Sequence, residues 1–299
     1  MKISTWINSI NSETQGLICG FLGVLGFSLT LPATRVAVAE LNPTFVGLGR
    51  AIVAAFLAMV VLRVTRQPFP PRKYWGSLII VACGVILGFP LLSALAMQQK
   101  PAAYGAVITG LIPLVTAIFA VFRVGERPSV QFWFASFAGS ATIVIFAFSS
   151  GAGTIQVADL ALLGAVVAAA IGYAEGGGLA VTMGGWQVIC WSLVFAAPVL
   201  IFPVAFTVLQ HGLVASPIAW LSFGYVSIIS QFLAFFAWYR GMRIAGVARV
   251  SQVQLLQPFL TFFFSAVLLQ EQITPIMLVC AGIAITCVAI GKKALISRR

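Results

Sequence analysis

The chain is 299 residues long, 61% hydrophobic and only 8% charged, with a mean hydropathy of +1.08. A soluble domain carries about 25% charged residues, so this chain cannot cover a water-facing surface, and lipid must be its solvent. Its net charge of +11 does not point to nucleic acid, because the basic residues fall between apolar runs on one side of a membrane topology.

Residues 1–14 are polar and read as a cytoplasmic segment. They are not a cleavable leader, since the run that follows is long enough to span. About ten apolar runs follow, bounded by Pro, Gly and charges, each near the ~20 residues needed to cross hydrocarbon. They cover 15–38, 43–63, 74–98, 102–123, 130–149, 158–180, 185–208, 217–239, 248–270 and 274–292. An open strand in lipid leaves its backbone unpaired, and a barrel needs alternating short segments. The expectation is therefore an all-α polytopic membrane protein of ten transmembrane helices.

In the first run, Gly20, Gly23 and Gly26 permit close helix packing. The second carries Arg50 inside the membrane, at a depth suited to pairing with Glu40 or Asp159. The third has Gly84, Gly88, Pro90 and Ser93, the marks of an irregular helix. The fourth places Ala106, Thr109, Pro113, Thr116 and Ala120 on one face. Ser149 to Gly153 form a linker. The sixth run holds Tyr173 and, near its end, Glu175. The eighth holds Tyr225 and Gln231 deep in the span. Trp238, Tyr239 and Tyr104 fall near span ends, where interfacial anchors are usual. On the ninth, Ser251, Gln254, Pro258, Thr261 and Ser265 share a face, flanked by Gln257. All five cysteines lie in apolar runs without a CxxC pair, so neither a metal site nor a disulfide framework is indicated.

Two stretches match at a fixed offset. Met97, Leu111, Pro113, Thr116, Phe119 and Glu126 recur as Met242, Leu256, Pro258, Thr261, Phe264 and Glu271, each 145 positions on. An internal repeat in a hydrophobic chain is the mark of a carrier built from two halves. The organisation is then a segment 1–14, a first five-helix repeat 15–149, an extracytoplasmic linker 150–157, a second five-helix repeat 158–292 and a basic tail 293–299. Five crossings per half is odd, so the repeats are inverted. Fourteen of the 17 basic residues fall on the side of both termini, which makes that side cytoplasmic, with Glu126 there and Glu271 outside.

The residues expected to face the substrate are Thr109, Pro113, Tyr173, Tyr225, Gln231, Ser251, Gln254, Gln257, Pro258 and Thr261. Amides and hydroxyls are costly in lipid and belong against protein or a water-filled cavity. Packing between helices is the competing role for the hydroxyl residues. Pro113 and Pro258 interrupt the backbone ladder and are hinge candidates. Glu175 is a possible proton or amine site, or snorkels to water. A cavity with few fixed charges suits a neutral or zwitterionic small molecule, an amino acid or related metabolite. A multidrug or cationic-metabolite exporter is the alternative and requires Glu175. An intramembrane enzyme is the distant one, because His211 stands alone in a loop and no HExxH or GxSxG occurs. No nucleotide-binding loop, cofactor motif or obligatory protein partner is indicated.

Gly125-Glu126-Arg127 and Gln270-Glu271-Gln272 each follow a helix-centred proline by 13 residues. Tyr239-Arg240-Gly241-Met242 precedes Ala248 and Ser251, and Leu48-Gly49-Arg50 lies in the second run. In these features the chain resembles the drug/metabolite transporter superfamily in its ten-helix form with two EamA-type repeats, over roughly 16–148 and 158–292. It is most similar to bacterial aromatic amino acid exporters, including Leu31-Pro32-Ala33-Thr34-Arg35. The resemblance implies a multi-pass protein of the bacterial inner membrane that exports aromatic and other neutral amino acids by alternating access. It also implies a central cavity lined by helices one, three, four, six, eight and nine, with five and ten as support.

Overall fold

A computed structural model describes residues 11–150, 156–292 and 296–298. Most of the expected N-terminal segment, the centre of the linker and most of the tail lie outside the described residues. Among the described residues, eight helical rods are long and apolar enough to cross a membrane: α1 (Ser12–Val38), α2 (Phe45–Val64), α3 (Arg72–Met97), α4 (Ala102–Val124), α6 (Val157–Met183), α7 (Gly185–His211), α8 (Pro217–Ala245) and α9 (Val247–Leu269). Two further helices, α5 (Val130–Ser150) and α10 (Pro275–Lys292), pack on each other. Two short strands, β1 (Glu126–Pro128) and β2 (Ile296–Arg298), pair antiparallel.

The packing of the rods follows the 145-residue offset. α4 lies on α9, α2 on α7 and α5 on α10, each helix beside its own repeat mate. α1 packs on α8, and α6, the mate of α1, packs on α3, the mate of α8. The first part of α4 touches the last part of α9, and the last part of α4 touches the first part of α9. These two helices therefore run in opposite directions.

Irregular backbone recurs at matching places. α3 contains a π-helical stretch, Ala82–Gly88, and α8 contains another, Val226–Leu233. α4 breaks between Thr109 and Ile112, and α9 tightens to a 3₁₀ turn over Gln254–Leu256. Pro113 and Pro258 each open the segment that follows the break, where a missing N–H is tolerated. Both helices then end on a left-handed residue, Gly125 (φ 72°) and Gln270 (φ 54°), whose N–H bonds back to Ala120 and Ser265. α1 also breaks, at Leu29, ahead of Pro32.

A close helix contact joins α1 to α8. A Cβ on Gly241 would sit 2.7 Å from the Gly16 carbonyl oxygen and 2.8 Å from the Gly20 nitrogen, so the backbones touch without side chains between them. Trp238 and Tyr239 are fully buried, a correction to their expected place in an interfacial belt. Tyr239 lies against Gly176 and donates its hydroxyl to the Gly172 carbonyl at 3.0 Å. Glycines on the facing helix leave room for the ring. Tyr104 is also buried, under the Lys100 ammonium at 4.7 Å.

The two kinds of glycine on α8 give opposite expectations. Gly224 has nothing within 4 Å of an added Cβ, so Gly224→Ala should raise the Tm in detergent through helix propensity, by about 0.5–1 kcal/mol. Gly241→Ala should lower it by about 1–3 kcal/mol, because only backbone is available to move. Equal shifts of the two variants would contradict this contact.

Candidate functional site: a central chamber between two clamped ends

Each end of the bundle is held by a glutamate reaching across to the other half. The Glu126 carboxylate, fully buried after α4, accepts the backbone N–H groups of Val247 at 2.8 Å and Ala248 at 2.7 Å. The Glu271 carboxylate, after α9, accepts those of Ala102 and Ala103, both at 2.9 Å. All three residues of one clamp map onto the other at the 145-residue offset. A helix N-terminus presents unpaired N–H groups and a partial positive charge, so each carboxylate caps the first turn of the helix that belongs to the opposite repeat.

The other acidic residues are engaged near the same two ends. On the Glu126 side, Glu13 pairs with Arg249 at 2.6 Å and Glu175 with Arg123 at 2.7 Å. On the Glu271 side, Asp159 pairs with Lys100 at 3.0 Å, and Arg35 reaches Glu271 at 3.3 Å. Arg35 also donates to the carbonyls of Met97 and Lys100 at the end of α3. Glu40 accepts the Ser216 hydroxyl and N–H, each at 2.6 Å. These bonds hold its carboxyl below the usual carboxylate range, the hydroxyl having the larger effect.

Between the ends lies a small chamber lined by Phe27 and Thr30 of α1, Arg50 of α2, Val85 and Phe89 of α3, Ile112 of α4, Tyr173 of α6, Ser230 and Phe235 of α8, and Gln254 and Gln257 of α9. Its volume is about 10 Å³, about the space one water needs. Two pairs of lining residues are repeat mates: Val85 with Ser230, and Ile112 with Gln257. In each pair the first repeat supplies an apolar residue and the second a polar one. The result is a two-sided chamber rather than a symmetric one.

Backbone groups freed by the helix breaks are taken up here. Pro32 cannot donate to the Ser28 carbonyl four residues back, and the Thr261 hydroxyl donates to it at 2.8 Å. In a π-helical stretch the donor comes from five residues on, and for the Val85 carbonyl that residue is Pro90. Gln231 Nε2 donates to it instead, at 3.0 Å. Thr30 and Ser230 share a hydrogen bond of 2.7 Å across α1 and α8.

Of the residues expected to face substrate, Tyr173, Gln254 and Gln257 line the chamber. Gln254 Nε2 donates to Gln257 Oε1 at 3.2 Å, and Gln254 Oε1 has no partner. Gln231 and Thr261 are buried and brace the broken helices. Thr109 and Ser251 bond within their own helices, to the carbonyls of Ala106 and Ala248. Tyr225 donates to the Gly26 carbonyl at 2.9 Å. Pro113 and Pro258 are buried at the helix breaks. Glu175 is ion-paired in a separate crevice with Tyr74, Ser77 and Arg123.

Arg50 pairs with neither Glu40 nor Asp159, since those carboxylates are held by Ser216 and Lys100. It lines the chamber instead, 2% exposed, with Nε and Nη1 unbonded. Thr30 and Ser230 were not legible as lining residues, because a hydroxyl in an apolar run is as often packing as cavity wall. Among the described residues no three His, Cys, Asp or Glu side chains come together as a metal site.

Comparison with known proteins agrees with this architecture. The model of the EamA-like transporter family matches residues 14–148 and again 156–290. The chain is 42% identical over 285 residues to the uncharacterized transporter YdeK of Bacillus subtilis (strain 168), covering 95% of this chain and 99% of that one. A solved crystal structure, described only as that of a protein, superposes with a TM-score of 0.72 over 93% of this chain and 98% of its own, at 16% identity. That likeness shows the fold alone. With the family matched twice, once in each half, and a full-length transporter relative, the chain belongs to the EamA-like transporter family of membrane proteins, within the drug/metabolite transporter superfamily.

Proposed function

We propose that the protein exports amino acids, aromatic and other neutral ones, and related metabolites across the bacterial inner membrane. Ten membrane-crossing helices form two inverted repeats, 15–149 and 158–292, that exchange conformations about the central chamber. The observation that carries this reading is the pair of equivalent glutamate clamps, one at each end of the chamber. A carrier that opens alternately needs two closures of similar strength and opposite orientation. Parting one clamp exposes two helix-terminal N–H groups and a carboxylate to water. Each hydrogen bond to a charged group is worth about 1.5–3 kcal/mol, and water replaces much of that on opening. The exchange is then close to balanced.

The chamber wall supports the substrate class. It offers amides, hydroxyls and aromatic rings and no carboxylate, which suits a zwitterion with an apolar side chain. A cation exporter needs a deep acid in the chamber, and Glu175 is instead paired with Arg123. Both termini and the excess of basic residues lie on the Glu126 side in this reading, so that side is cytoplasmic. Linker 150–157 is then extracytoplasmic.

Two outcomes are expected. In proteoliposomes, Glu126→Gln should raise the alkylation of cysteines placed along the inner half of the chamber, and Glu271→Gln the alkylation of those along the outer half. The same response from both substitutions at one membrane face would end the two-gate reading. Labelled phenylalanine or methionine should pass through the wild type, and Glu175→Gln should retain at least about half the flux. Its partner Arg123 is half-exposed, and such pairs contribute at most about 1 kcal/mol. Abolished flux in Glu175→Gln, with the fold intact, would favour the cationic-substrate alternative. Failure to move any amino acid would remove the assignment.

A further inference from the structure

Among the described residues, Arg50 is the one basic or acidic side chain lining the chamber. It stands at the start of the regular part of α2, after the π-helical turn Phe45–Gly49. That turn is pressed against α3, where an added Cβ on Gly47 would lie 2.8 Å from the Leu91 Cα. The side chain does not snorkel to an end of the bundle, being 2% exposed, and two of its three guanidinium nitrogens have no partner. A buried charge without a counter-charge is among the most expensive features a membrane protein can hold.

The chain has no carboxylate to spare for it. There are six acidic residues in the sequence. Glu13, Asp159 and Glu175 are in ion pairs with Arg249, Lys100 and Arg123. Glu126 and Glu271 cap helices, and Glu40 is held by Ser216. The missing negative charge has to come from outside the polypeptide. Beside Arg50 the chamber presents Gln254 Oε1, a buried acceptor with no donor, together with Thr30 and Ser230. The Phe27, Tyr173 and Phe235 rings pack on one another at 5.0–6.2 Å between centroids.

We infer that Arg50 binds the carboxylate of the transported molecule, so that an anionic carboxylate, rather than an ammonium group, is what the chamber requires of its substrates. The guanidinium fork presents parallel N–H donors that match a carboxylate. In an amino acid the ammonium then meets Gln254 Oε1, and the side chain meets the aromatic wall. The inference rests on the reading of the chamber as the transport site and narrows it. Molecules lacking the carboxylate leave the guanidinium uncompensated and are rejected. Molecules lacking the amine lose only the weaker contact.

The test uses three probes of similar shape on the purified full chain: L-phenylalanine, 3-phenylpropionate without the amine, and phenethylamine without the carboxylate. The first two should raise the Tm of the wild type in a saturable way, and phenethylamine should not. Arg50→Met should weaken both carboxylates by at least about tenfold, and Arg50→Lys, which keeps the charge but not the fork, by less. Arg50→Met should also melt no lower than the wild type without probes, because it removes an uncompensated charge. The wild-type selectivity stands whether or not a variant folds. Equal binding of phenethylamine and phenylalanine, unchanged carboxylate binding in Arg50→Met, or no binding of either carboxylate would overturn the inference. Should Arg50→Met carry phenylalanine as the wild type does, the assignment of Arg50 falls while amino acid export stands. Should 3-phenylpropionate bind at Arg50 while no amino acid binds or moves, Arg50 keeps its role and the amino acid reading falls.

Discussion

A protein in lipid has no water with which to repair a broken helix, so each interruption of the backbone ladder must be answered by another part of the chain. Here the answer crosses between repeats at the points that matter. The open N-termini of α4 and α9 are closed by Glu271 and Glu126, each from the other half. The Ser28 carbonyl, orphaned by Pro32, is met by Thr261, and the Val85 carbonyl, orphaned by Pro90, is met by Gln231. The irregularities that make room for a chamber are thus also what binds the halves together. Neither half can satisfy its own backbone alone.

The same constraint sorts the charges. All six acidic groups are consumed near the ends of the bundle, as caps, ion pairs or, for Glu40, by hydrogen bonds from Ser216, where water and helix termini reduce the cost of desolvation. Among the described residues, the chamber is left with a single guanidinium and neutral hydrogen-bonding groups. The acidic groups at the rims are thus neutralised, and the chamber keeps a positive centre at Arg50. That arrangement is poorly suited to hold a cation and well suited to attract an anion from either side.

Much of this was legible in the sequence, and the limits have physical causes. Hydrophobic runs gave the helical rods, because span length is imposed by the bilayer rather than by packing. The fixed offset gave the repeat, and it placed Glu126 and Glu271 at matching helix ends. It did not reveal that their partners are backbone N–H groups, since a helix N-terminus has no side-chain signature of its own. α8 runs on to Ala245, past the expected end of its span, and this extension takes Trp238 and Tyr239 out of the interface and into the core. The glycine run 176–178 held the clue, since Gly176 faces the Tyr239 ring. Arg50 was visible as a charge within a run, but depth alone suggested Glu40 or Asp159 as partner. Both were already engaged through contacts far apart in sequence, which no local pattern encodes.

The division of labour between the repeats bears on selectivity. Equivalent positions converge on the chamber from both halves, yet Val85 faces Ser230 in role and Ile112 faces Gln257. Had duplication been kept intact, the chamber would be symmetric and would grip a symmetric solute. Divergence at these positions made one wall apolar and the other hydrogen-bonding, while the positive charge entered through α2, whose repeat-equivalent position is Phe195. A molecule with a charged head and an apolar side has only one favourable orientation in such a space. On the alternating-access reading proposed above, the repeated scaffold supplies the two ways to open and the asymmetric lining decides what is held between them.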